Sequence, residues 1–87
     1  MKAVLEYTDH LVSRDGKQVH RVLAEHRFEV LKTKVNNWNQ SVRVTIRVNS
    51  YDELDLLVEK LNRCCVYGVK VIKVCRDSIF SRLRRKH

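Results

Sequence analysis

Three cysteines and four histidines are the residues of this 87-residue chain best suited to hold a metal or attack a substrate. Cys64 and Cys65 are adjacent, and Cys75 follows further on. Structural zinc takes about four ligands, and its cysteine pairs are separated by residues that let both sulfurs face one ion. "CC" has no such gap, and none of His10, His20, His26 or His87 completes a zinc spacing with it. Adjacent cysteines also strain a disulfide, so an odd set of three points to reduced thiols in a reducing compartment. The histidines are scattered. Asp9-His10 and Glu25-His26 are neighbours in the chain, but neighbours on a strand or helix do not face each other. His26 completes an apolar helical stripe and is expected to be a partly buried helix-end residue. No nucleophile elbow, phosphate loop or paired-carboxylate motif occurs. The expectation is a protein without catalytic residues, metal or cofactor.

Positive charge is the stronger signal. Eighteen Lys and Arg face 10 Asp and Glu, a net charge of +8. The pI is near 9.8. Such a field attracts nucleic acid, anionic lipid or acidic protein surfaces, or serves solubility alone. The cations are patterned. In "SVRVTIRVNS" (41–50), Val42, Val44, Ile46 and Val48 alternate with Arg43, Thr45 and Arg47. That is a strand with one core face and one basic face. Pairing across "NNWNQS" sets Val42 opposite Val35, Val44 opposite Thr33 and Ile46 opposite Leu31. On the other side it sets Arg43 opposite Lys34, Thr45 opposite Lys32 and Arg47 opposite Val30. Like charges directly opposite cost up to ~1 kcal/mol. Four cations on one sheet surface therefore suggest an anionic partner, although long basic stems also keep a bare sheet face soluble. Lys70 or Lys73 extends the patch, as does a basic tail of Arg76, Arg82, Arg84, Arg85 and Lys86. Trp38 lies among polar loop residues, placed to stack on a base or anchor a partner. The candidate contact residues are Lys32, Lys34, Trp38, Arg43, Arg47, Lys73, Arg82, Arg84 and Arg85.

The elements that must position these residues follow from periodicity. A chain of this length makes one domain. Hydrophobic content of 44% and charged content of 32% fit a folded protein, with no proline and two glycines. No apolar run approaches the ~20 residues of a membrane span. "MKAVLEYTDH" lacks the apolar stretch of a signal peptide, so a cytoplasmic location is expected. Residues 2–12 read as a first strand, followed by a turn at "SRDG". Asp15 and Gln18 suggest a capping box, and Val19, Val22, Leu23 and His26 mark a helix face. Residues 27–35 and 41–49 form a hairpin around residues 36–40. Ser50 and Glu53 make the clearest capping box, before Leu54, Leu57, Val58 and Leu61. Gly68 suits the helix exit. Residues 69–75 are the last strand, where consecutive Val71 and Ile72 suggest a bulge. This order predicts an α+β, ferredoxin-like βαββαβ sandwich over residues 1–76. Four antiparallel strands carry two helices on one face. Residues 77–87, with Ile79, Phe80 and Leu83, form a basic C-terminal helix or tail.

The stretch from "VLAEHRFEVLKTKV" through "YDELDLLVEKLNR" to "YGVKVIKVCR" resembles an ACT domain over roughly residues 14–76. The resemblance implies a ferredoxin-like fold and a small metabolite bound at a dimer interface near a loop glycine. Gly16, in "SRDGKQ", lies two places nearer the helix than that family's pattern.

Three functional expectations result. The leading one is a non-catalytic binding module whose basic open sheet and tail contact nucleic acid or a ribonucleoprotein. The second is an ACT-like regulatory domain binding a metabolite as a homodimer. The third is a small inhibitor or adaptor, of viral origin or otherwise, that binds one protein partner, such as an acidic protein surface, through an exposed sheet edge or Trp38. A membrane partner is not expected.

Overall fold

The computed structural model of the chain describes residues 1–9 and 14–76. Six elements follow in order: β1 (Lys2–Thr8), α1 (Asp15–Glu25), β2 (Val30–Asn36), β3 (Ser41–Arg47), α2 (Tyr51–Cys64) and β4 (Val69–Cys75). The strands form one antiparallel sheet in the order β2-β3-β1-β4. This is the ferredoxin-like arrangement. The C-terminal helix or tail expected over residues 77–87, residues 10–12 of the expected first strand and Ser13 of the expected turn lie outside the described residues.

Alternation builds the core. Ala3, Leu5 and Tyr7 of β1 and Val42, Val44 and Ile46 of β3 point to one side and are buried. Val19, Val22 and Leu23 of α1 and Leu54, Leu57 and Leu61 of α2 close over them. Full burial of a Val or Leu side chain stabilises by about 1.5–3 kcal/mol, so this cluster carries the fold. α1 packs on β1, and α2 packs on β4.

The helix ends show how local sequence is used. At α2, Ser50 accepts from the Glu53 N–H at 3.1 Å, as the capping box requires. The Glu53 carboxylate reaches back to the Asn49 N–H rather than that of Ser50. The last turn of α1 closes as a Schellman motif: Phe28 N–H donates to Leu23 O, and Arg27 N–H to Ala24 O. Arg27 holds the left-handed position, at φ 58, where glycine is the usual occupant. His26 is exposed there, not partly buried as its place in the apolar stripe suggested. The buried stripe ends at Leu23 and the helix at Glu25, so His26 falls at the C-cap, beyond the packed face.

The expected cap at Asp15 is overturned. Arg14 is the N-cap residue, and its side chain makes no cap bond. Asp15 is instead fully buried and accepts from the Val66 and Tyr67 N–H groups at 2.9 and 3.0 Å. It latches the start of α1 to the link between α2 and β4. Gly68 is not the helix exit either: α2 ends at Cys64 and an extended Cys65, and Gly68 adopts φ 77 just before β4. Asn62 Oδ1, which accepts from Val69 N–H at 2.8 Å, would sit 2.7 Å from a Cβ at Gly68.

The hairpin register is as expected from Asn36↔Ser41 to Lys32↔Thr45. It then slips, so that Ile46 faces Val30 rather than Leu31, and Arg47 N–H bonds to Glu29 O. The bulge expected in β4 is present, where Leu5 pairs with Val71 and Val4 with Lys73.

Candidate functional site

The sheet side away from the helices collects the charge. One row of paired residues crosses all four strands: Lys34, Arg43, Glu6 and Lys70. The next row is Lys32, Thr45, Val4 and Lys73. Arg47, Lys2 and Cys75 make a third. With strands about 4.8 Å apart, lysine columns on the two edges stand roughly 14 Å from each other. Among the described residues the face thus holds seven cations, with two carboxylates beside them. Arg43 Nε lies 2.9 Å from Glu6 Oε2, and Arg47 Nε lies 3.1 Å from Glu29 Oε2. Both pairs are solvent-exposed and contribute little stability. Their effect is to hold the guanidinium groups in place. Arg43 meets Glu6 through one edge of its fork, and a guanidinium has further N–H donors.

Sequence reasoning placed Lys32, Lys34, Arg43, Arg47 and Lys73 on this side, and the register brings them together. It missed the carboxylates of Glu6 and Glu29 and the contribution of Lys2. The β1–β3 register that sets Glu6 against Arg43 joins residues 37 apart in the chain, and no short-range pattern encodes it. Arg76 is drawn elsewhere, with its guanidinium 5.4 Å from the centre of the Tyr51 ring at the start of α2. Arg82, Arg84 and Arg85 lie outside the described residues.

Trp38 is 97% exposed at the tip of the β2–β3 hairpin. The tip is tied by its own side chains: Trp38 N–H donates to Asn36 Oδ1 at 3.0 Å, and Ser41 Oγ donates to Asn39 Oδ1 at 2.7 Å. A shallow concavity of about 420 Å³ beside it is lined by Trp38 together with Lys34, Arg43 and Glu6. The indole therefore adjoins the first cationic row. The strands place no aromatic ring on the open side itself.

A larger open groove, about 880 Å³, lies at the other end of the hairpin, between the start of β2 and the outer side of α2. Phe28, Leu56 and Leu57 line it with charged residues, and Lys60 Nζ lies 2.6 Å from His26 Nε2. The thiols are free; Cys65 is buried, and Cys64 and Cys75 are half-buried. Burial, then Cys64 and Asp15, push the Cys65 thiol up to about 12, far from a nucleophilic thiolate. Among the described residues no group of three or more His, Cys, Asp or Glu could hold a metal ion. No described helix is long and apolar enough to cross a membrane. The space beside Gly16, where the ACT resemblance places a ligand, is filled by Asp9. Its Oδ1 accepts from Gly16 N–H at 3.2 Å and would lie 2.6 Å from a Cβ there.

No known family model, curated protein or solved structure matches the chain. The ferredoxin-like architecture therefore rests on the fold itself, and the ACT resemblance on the residues quoted for it.

Proposed function

We propose that the protein is a non-catalytic binding module whose basic sheet face contacts the phosphates of nucleic acid, free or in a ribonucleoprotein. The observation that carries this reading is the set of seven cations on one sheet side against two carboxylates. Rigid strands hold the lysines and arginines at fixed spacing, which suits a polyanion. With no ring on the open side of the strands, bases are not read by stacking over the sheet, and affinity comes from counterion release with weak sequence preference. Trp38 supports unpaired nucleotides over duplex, since an exposed indole beside Lys34 and Arg43 offers a base a stacking surface next to a phosphate site.

The test is fluorescence anisotropy of labelled single-stranded RNA and duplex DNA over a salt series. Each phosphate contact contributes a slope of about −0.7 in log K against log salt for single strands. Lys70→Glu/Lys73→Glu should flatten that slope by about 1.4 and weaken all sequences alike. Arg43→Glu/Arg47→Glu should do the same. Trp38→Ala should weaken RNA binding by roughly 5–150-fold without changing the slope. Absence of binding at low salt would end the proposal.

A further inference from the structure

The strand β2 is an unpartnered edge with two different faces. It pairs with β3 alone, and all seven of its residues are exposed. On the helix side, Val35 pairs with buried Val42 yet is itself 58% exposed. Val30, opposite buried Ile46, is also exposed. The helices pack on β1 and β4, at the other half of the sheet, and among the described residues nothing covers Val30 and Val35 or the Thr33 between them. On the open side stand Lys32 and Lys34. Among the described residues neither has an acid within ion-pair distance: Glu6, in the row of Lys34, is engaged by Arg43, and the row of Lys32 holds no carboxylate. The bulge falls near Leu31, so Lys32–Asn36 remains a regular ladder whose outer N–H and C=O groups face away from β3.

We propose that β2 takes up an extended segment of a partner protein as a fifth strand. The segment alternates acidic residues, opposite Lys32 and Lys34, with apolar residues that continue the strip of Val30 and Val35. Main-chain hydrogen bonds supply affinity and the alternation supplies specificity. Charge selects this occupant over a second copy. An antiparallel β2–β2 pairing centred on Thr33 sets Lys32 opposite Lys34. Pairings centred on Lys32 or Lys34 set that lysine opposite itself. Every such register opposes like charges. Nucleic acid is no substitute, because it offers neither a strand edge nor apolar side chains. Lys32 and Lys34 also belong to the basic face, so the two readings share these lysines; Lys70 and Lys73 on β4 belong to the nucleic-acid reading alone, and reversing them separates the two.

A short, end-capped peptide of alternating valine and glutamate is the probe, with its valine–lysine counterpart as control. The protein should bind the glutamate peptide. Amide hydrogen exchange should slow within residues 30–36 and not in β4. Lys32→Glu/Lys34→Glu, an exposed double change that leaves the core intact, should lose about tenfold or more for the glutamate peptide and gain preference for the lysine peptide. Lys70→Glu/Lys73→Glu should bind the glutamate peptide as the parent does. Binding of neither peptide, or binding that the Lys32/Lys34 reversal leaves unchanged, would overturn the proposal. Protection of β2 that rises with protein concentration alone would replace the partner strand by a second copy. Protection by anionic lipid vesicles, with no response to the peptide, would replace it by a membrane surface.

Discussion

The two edge strands are close to matched in sequence and opposite in fate. β2 and β4 each run for seven residues, each sets two lysines on the open sheet side and each contains a bulge. α2 packs on β4 at its ends, with Val69 buried and Val74 half-buried, while Val71 and Ile72 between them stay exposed. Its entry is pinned by Asn62 and, through the preceding link, by Asp15. Among the described residues, β2 has neither a cover nor a pin on its outer side. The difference teaches that a strand's availability is decided by where the helices come to rest, not by the strand's own alternation. A locked edge and an open one are built from nearly the same residue types.

The largest effect expected is on the locked side. Asp15→Ala removes a fully buried carboxylate and with it the acceptor of the part-buried Val66 and Tyr67 N–H groups. Each such loss costs about 1–3 kcal/mol, so urea unfolding should show roughly 3–5 kcal/mol of lost stability. A loss below 1 kcal/mol would show that the latch is not what fixes this half. Leu61→Ala, beneath the helix that covers β4, should cost about 2–5 kcal/mol. Val35→Ala on the open edge should stay within about 0.5 kcal/mol. Equal costs at the two positions would erase the contrast.

The smallest effect at neutral pH concerns the acids buried on the covered half. Burial, then Asp9 and Cys65, push the Tyr7 hydroxyl up to about 12, and the Cys65 thiol is pushed up to about 12 as well. In the unfolded chain these groups release protons near 10.0 and 9.0. The folded state then binds more protons across that window, so stability is unaffected below about pH 9 and falls as pH rises toward 12. Cys65→Ala should delay the onset of the fall by about one pH unit, leaving the part due to Tyr7. An unchanged alkaline profile in that variant would remove the thiol from the account.

Much of this was legible from the residues. The order of elements follows from the switch between alternating and helical spacing. The start of α2 was marked by Ser50 and Glu53, and the β4 bulge by consecutive Val71 and Ile72. The basic side was readable because Arg43 and Arg47 alternate with core residues. What escaped notice depends on contacts between distant parts of the chain. Asp15 looked like a cap because Asp favours that place, yet its partners lie about fifty residues on. Glu6 and Glu29 temper the arginines only once the register is known. Val35 read as core and Val30 as part of the basic side; the register slip turns Val30 to the helix side, and nothing in β2 itself says that no described helix covers either.

Trp38 has a consequence for how the molecule can be observed. It is the sole tryptophan, and its indole is bathed in water in the native state. Unfolding changes that environment little, so its emission is nearly blind to denaturation. Whatever settles on the hairpin tip alters it directly. The chain carries an intrinsic optical reporter of occupancy that is decoupled from folding, and its stability is better followed through the backbone's circular dichroism.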